Sequence, residues 1–161
     1  MYHQLVTTIQ DLLKEHAMWF ETFEHEPVKT SEEAAQLRTG YTIKQGAKAL
    51  LLRIKPRGGQ KKFIMCVLPG DRRLSSSRVK VVTDAKEIRF ATQDEVYRIS
   101  GGVVPGGVPP FGNLFGLDVY VDRSLLENEK IVFNAGDRRF SIAMLSSDYQ
   151  KLVNPIVKSF I

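Results

Sequence analysis

The segment Gly101-Gly102-Val103-Val104-Pro105-Gly106-Gly107-Val108-Pro109-Pro110-Phe111-Gly112 carries no charge, and it holds five glycines and three prolines. Glycine admits backbone conformations that other residues avoid and lets a ligand come close to the main chain; proline fixes φ and removes a donor. Together they make a stiff, pre-shaped loop that neither a helix nor a sheet can run through, so the flanking elements must end at its borders. A connecting turn is one role for such a loop, and recognition of a ligand by its backbone is the other.

The remaining composition limits what the loop can belong to. A chain of 161 residues makes one domain, residues 1–161, with room for a core and a single site. Its 43% hydrophobic and 25% charged residues are those of a soluble globular protein. No apolar run reaches membrane-spanning length, and the first residues lack the layout of a signal peptide, so no membrane partner and a cytoplasmic location are expected. Cys66 is the only cysteine and lies in an apolar run, which leaves no disulfide framework and makes it a core residue. The formal charge of +5 is unevenly spread. Lys55, Arg57, Lys61 and Lys62 crowd one hairpin, Arg72, Arg73, Arg78 and Lys80 follow, and Arg138 and Arg139 sit near a later turn. Such clusters suit a phosphate backbone or a solvated basic surface equally well.

Leu5, Ile9, Leu12 and Leu13 recur at helical spacing over 2–16, and a short strand follows at 18–23. Thr30 or Ser31 caps a helix over 31–38 with Glu32 and Glu33 in its first turn. The pattern then changes to a central β-hairpin, 47–54 and 62–68, in which alternation puts Lys48 on the same face as Leu50, Leu52 and Ile54. A lysine thus opens an apolar face. It either stands at the solvated end of the sheet or awaits an anionic group. A helix is predicted within 71–81 with an interruption at Ser75 to Ser77, and a strand over 87–91. Thr92 and Glu95 have capping-box spacing for a short helix that runs into the Gly/Pro loop. Beyond the loop, strands at 117–121, 130–134 and 139–144 are expected to form an antiparallel meander. Ser146 or Ser147 is expected to cap a last helix that Pro155 interrupts.

Standard catalytic equipment is missing from the sequence. The three histidines fall in the first quarter with no metal-ligand spacing, there is no His-Glu-x-x-His or Gly-x-Ser-x-Gly, and the loop lacks the Gly-Lys-Ser/Thr ending of a phosphate-binding loop. No metal and no cofactor are expected. Asp118 and Asp122, alternating with apolar residues, are expected to face solvent.

The order of several short motifs resembles the prolyl-tRNA-synthetase-associated, YbaK/ProX-like aminoacyl-tRNA deacylases over nearly the whole chain. These are His25-Glu26-Pro27 with Thr30-Ser31-Glu32-Glu33-Ala34-Ala35, then Gln45-Gly46-Ala47-Lys48-Ala49-Leu50, the Gly-x-x-x-Pro loop, and Asn134-Ala135-Gly136-Asp137-Arg138-Arg139. The resemblance implies an α+β fold, a mixed and mainly antiparallel curved sheet flanked by helices. It implies a trans-editing deacylase that hydrolyses the ester of a mischarged tRNA, with the tRNA 3′ aminoacyl end and acceptor stem, and an aminoacyl-tRNA synthetase, as partners. Lys48 would be the functionally essential lysine. Gly101 to Pro105 and Gly106 to Pro110 both match Gly-x-x-x-Pro, and Pro110-Phe111-Gly112 favours the second. The expected pocket rim is therefore Gly106, Gly107, Val108, Pro109, Pro110, Phe111 and Gly112, with Gly101 and Gly102 as further candidates. A non-catalytic tRNA-binding or synthetase-associated module of the same fold is the alternative, and a small-molecule-binding regulator is a third.

Overall fold

Apolar residues fill β3 (Lys62–Pro69) without alternation, and Ile64, Met65, Cys66, Val67 and Leu68 are all buried. A run of this kind belongs to a strand covered on both faces. In the computed structural model, which describes residues 1–27 and 30–161, β3 lies at the centre of a five-stranded sheet. The strand order is β4-β2-β3-β5-β8, with β2 (Ala47–Pro56), β4 (Ala85–Phe90), β5 (Asp118–Asp122) and β8 (Ile156–Lys158). A second sheet of three antiparallel strands has the order β1-β7-β6, with β1 (Phe20–Glu24), β6 (Lys130–Asp137) and β7 (Phe140–Leu145). The architecture is α+β and mostly antiparallel, as expected, with its strands divided between two sheets.

The predicted hairpin is present: β2 and β3 pair antiparallel from Ala47 opposite Pro69 to Ile54 opposite Lys62. The meander is only partly so. β6 and β7 pair antiparallel, whereas β5 runs parallel to both β3 and β8. The physical reason is burial on two sides. Val119 and Val121 pack into one core cluster and Tyr120 into the other, and a strand covered on both faces belongs inside the large sheet. Asp122 also departs from expectation. It is buried, accepting from the Ser124 N–H and hydroxyl and, at 2.8 Å, from the Phe160 N–H, so it pins the C-terminal segment.

One core lies between the large sheet, the small sheet and α1 (Leu5–Glu15), whose Leu5, Ile9 and Leu13 are buried. The other lies behind β2 and β3 and takes Leu52, Ile54, Cys66, Val79 and Phe160. Burial pushes the Cys66 thiol up to about 12, which suits a packing role.

Helix starts follow their caps. The Thr30 hydroxyl accepts from the Glu33 N–H ahead of α2 (Ser31–Leu37), and Thr92 and Glu95 close a capping box on α4 (Gln93–Ile99). Ser75 caps α3 (Ser76–Thr83), so the serines start that helix and do not interrupt it. α5 (Ser146–Val153) has no side-chain cap, because the Ser146 hydroxyl donates to the Asn128 carbonyl instead. The helix stops at Asn154 in the left-handed region, just ahead of Pro155.

The Gly/Pro segment leaves α4 through Gly101 and Gly102, both at positive φ, with the Gly102 N–H returning to the Tyr97 carbonyl at 2.8 Å. It is then tied down link by link. Gly107 donates to the Val104 carbonyl, Gly136 donates to the Gly107 carbonyl, and the buried Tyr149 hydroxyl donates to the Pro110 carbonyl at 2.6 Å. Phe111 ends in the core, edge-on to Phe133 and Tyr149. The loop is a fixed wall.

Candidate functional site

β4 pairs with β2 only from Leu52 onward, which leaves the first residues of β2 without that neighbour. α2, the segment after it, the loop and β6 close over this opening and enclose a cavity of about 250 Å³. Lys48, Ala49 and Leu50 come from β2, Ser31 and Ala34 from α2, and Gly46 from the short turn before the strand. Gly106 and Val108 come from the loop and Asn134 from β6.

Lys48 is half-buried and makes no hydrogen bond or ion pair among the described residues. Burial holds its pKa below the ordinary lysine range. Arg73 pushes the same way, while Glu32 and Asp71 oppose through space. Among the described residues, none that lines the cavity is acidic.

A second cation is present that the sequence did not single out. Arg38 follows the last turn of α2 and is 5% exposed, and it lines the cavity. Its Nε donates to the Ser141 hydroxyl at 2.9 Å and its Nη2 to Asn134 Oδ1 at 3.0 Å. Burial lowers its pKa to about 10. His25 extends this network through a 2.8 Å contact with the Ser141 hydroxyl, and Asn134 Nδ2 donates to the Gly106 carbonyl at 2.8 Å. Asn134 therefore holds the arginine with one end of its amide and the loop with the other. Arg38 was legible only as a helix end, since its partners lie about a hundred residues downstream.

The candidate loop residues separate into four groups. Gly106 and Val108 share the cavity with Lys48. Gly102 and Gly107 line a different hollow of about 230 Å³ on the other side of the loop, with His3, Gly136, Asp137 and Arg139. Gly101 is exposed, and its carbonyl meets His3 Nε2 at 2.9 Å. Pro109, Pro110, Phe111 and Gly112 are buried behind the cavity wall. A Cβ on Gly107 would come within 3.2 Å of the Val104 carbonyl oxygen, and one on Gly112 within 2.7 Å of Val119 Cγ2. The missing side chains there serve the packing of the loop itself. The N–H groups of Gly106 and Val108 donate to no protein group among the described residues.

Among the described residues there is no group of three or more His, Cys, Asp or Glu side chains that could hold a metal ion, and no helix is long and apolar enough to cross a membrane.

Residues 25–152 match the family model of the aminoacyl-tRNA editing domain. The chain is 29% identical over 150 residues to the multifunctional Ser/Thr-tRNA deacylase ProXp-y of Escherichia coli K12, covering 92% of this chain and 88% of that protein. It is 27% identical over 116 residues to a proline–tRNA ligase of Ralstonia nicotianae, a match to 72% of this chain but only 20% of the ligase. A crystal structure described as a candidate trans-editing enzyme for prolyl-tRNA synthetase superposes with a TM-score of 0.81 at 23% identity, over 99% of this chain and 98% of that one. With most of its length matched by one family model and the motif order of that family along β2, the loop and β6, the chain belongs to the aminoacyl-tRNA editing domain family.

Proposed function

We propose that this chain is a trans-editing aminoacyl-tRNA deacylase, built as one editing domain, and that its site is the cavity holding Lys48, Gly106 and Val108. The observation that carries the assignment of the site is the half-buried lysine that, among the described residues, has no hydrogen-bond or ion-pair partner and shares its cavity with no acidic lining residue. Such a site favours an electron-rich ligand. The cognate partner is the 3′ end of a mischarged tRNA, and Lys48 binds its terminal phosphate or ribose as a point charge. Arg73 is close enough to act on Lys48 electrostatically, so the basic 72–80 cluster adjoins the mouth and offers a path for the acceptor stem.

Hydrolysis of the ester needs no metal and no protein nucleophile. Water adds to the ester carbonyl, the acyl C–O bond breaks, and the products are a free amino acid and a tRNA with its terminal hydroxyl restored. The free N–H groups of Gly106 and Val108 are the donors available to the carbonyl oxygen as charge develops on it. The rigid tethering of the loop keeps them in place without reorganisation. The tRNA's own neighbouring hydroxyl directs the water, which accounts for a site without a general base. A second hydrolytic site of this kind is needed because a synthetase discriminates small side chains by only about 1–3 kcal/mol per methylene. The relative named for Ser/Thr-tRNA supports a small aminoacyl group as the substrate. Action in the cytoplasm, beside an aminoacyl-tRNA synthetase, fits this role.

The test is a deacylation assay over tRNAs charged with different amino acids, run on the wild type and on Lys48→Ala. Loss of one charge-assisted contact is expected to slow turnover by about ten- to hundredfold. Full hydrolysis of every substrate by Lys48→Ala would remove the site. A wild type that binds tRNA without turnover would leave a non-catalytic tRNA-binding module.

A further inference from the structure

Arg38 is held by two neutral oxygens, those of Ser141 and Asn134, and has no carboxylate within ion-pair distance among the described residues. A charge this deeply buried ordinarily has a partner of opposite sign. Its third nitrogen, Nη1, donates to no group among the described residues. No buried side-chain nitrogen there lacks a hydrogen-bond partner, so Nη1 reaches accessible surface. A Cβ placed on Gly46 would lie 3.6 Å from Nη1, which puts this nitrogen beside another residue of the cavity wall. A larger residue at position 46 would crowd it.

An aminoacyl-tRNA enters such a cavity tip first. The amino acid is the outermost group, the ester and ribose come next, and the phosphate follows on the far side of the ribose. Half-buried Lys48 suits the ribose and phosphate, and the buried floor is left for the amino acid side chain. We propose that Arg38 is the specificity-determining residue of this site. Its Nη1 donates a hydrogen bond to the side-chain oxygen of a hydroxylated aminoacyl group, of the serine or threonine kind, and so favours it over the alanine kind, which has no such oxygen. The inference rests on the deacylase function proposed for the Lys48 cavity. Its physical basis is the asymmetry of polar sites: a desolvated donor that gains no acceptor from the ligand penalises that ligand, whereas an extra methyl group is discriminated far less.

The experiment charges one tRNA body with serine, threonine or alanine and measures kcat/KM for the wild type, Arg38→Met and Lys48→Ala. The wild type should favour seryl over alanyl ester, and Arg38→Met should lower that ratio by about ten- to hundredfold. An unchanged ratio in a folded Arg38→Met protein would overturn the proposal. So would an equal loss on all three esters, since that places Arg38 on the ribose, ester or phosphate they share. Should Arg38→Met fail to fold, competition on the wild type by non-hydrolysable amide analogues of 3′-aminoacyl adenosine decides. Tighter binding of the seryl than of the alanyl analogue, by about tenfold or more, supports the role, and equal binding refutes it. Full turnover by Lys48→Ala would instead take Lys48 out of the proposed site, and a wild type without turnover would sink the deacylase assignment, with the analogue competition still reporting on the choice between seryl and alanyl groups.

Discussion

On one flank of the 101–112 segment, Arg139 meets both oxygens of a carboxylate. Its Nε lies 2.9 Å from Asp137 Oδ1 and its Nη2 2.8 Å from Oδ2, with the Tyr2 ring 5.1 Å from the guanidinium. On the other flank Arg38 is more deeply buried, and among the described residues its only partners are a hydroxyl and an amide oxygen. The fork at Arg139 holds the Asp137 carboxyl down at about 2, a sign of mutual satisfaction. Burial alone moves Arg38, and it moves it toward losing its proton. Where charge serves architecture, the partner is supplied from within the chain. Where charge serves a ligand, the chain leaves the partner's place to be filled.

The sharpest way to probe the first flank is at Gly136, whose N–H holds the Gly107 carbonyl. Its φ is +107°, and a Cβ there would come within 2.7 Å of Leu5 Cβ on α1. Gly136→Ala should cost about 2–4 kcal/mol from strain and overpacking combined, read as a lower denaturant midpoint. Turnover per folded molecule should stay near wild type while the Gly136 N–H keeps its bond to the Gly107 carbonyl, and a specific loss of turnover would show that the strain has released this tether of the loop.

Lys48→Ala should give the reverse pattern, with turnover falling while the melting temperature holds or rises. Burial disfavours the Lys48 ammonium in the folded protein, so folding stability gains nothing from it at neutral pH. A clear drop in melting temperature would point to a structural partner for Lys48 in solution.

The smallest effect concerns acid. Asp137 has a folded-state pKa of about 2 against an ordinary 3.8, with Arg139 as the main cause. The folded state thus binds fewer protons than the unfolded state in that interval. The stability this supplies is complete above about pH 4 and is lost as pH falls toward 2. Glu95, held by the Arg89 fork, adds to the same acid limb. Unfolding curves at pH 6 and pH 3 should show a shallower loss for Asp137→Asn than for wild type. The Arg38→Met slope should match wild type. A flattened slope for Arg38→Met would mean that a carboxylate does face Arg38.

Lys48 and the loop were legible in the sequence because their signals are local: a charge at the head of an alternating strand, and glycines with prolines in one run. The hairpin, α1 and both threonine caps were legible for the same reason. What stayed hidden depends on long-range pairing. Nothing near 118–122 says that this strand will lie parallel to β3, and Asp122 looks like any carboxylate at a strand end until the Phe160 amide arrives to use it. The loop offers a parallel case. Twelve residues of one composition divide among a cavity wall, an opposite hollow and the core, according to which carbonyl each neighbouring element captures.

The network behind the cavity joins residues very far apart along the chain. Arg38 reaches Asn134 across 96 positions and Ser141 across 103, and His25 reaches Ser141 across 116. Contacts of such separation carry a large loop-closure cost and form late. A growing chain that has emerged only as far as β5 has its lysine and its loop, but neither the floor nor the anchor for the Gly106 carbonyl. A partly synthesised molecule is therefore an incomplete hydrolase. On the function proposed above, the site is complete only once the small sheet has brought Asn134 and Ser141 to Arg38 and the loop.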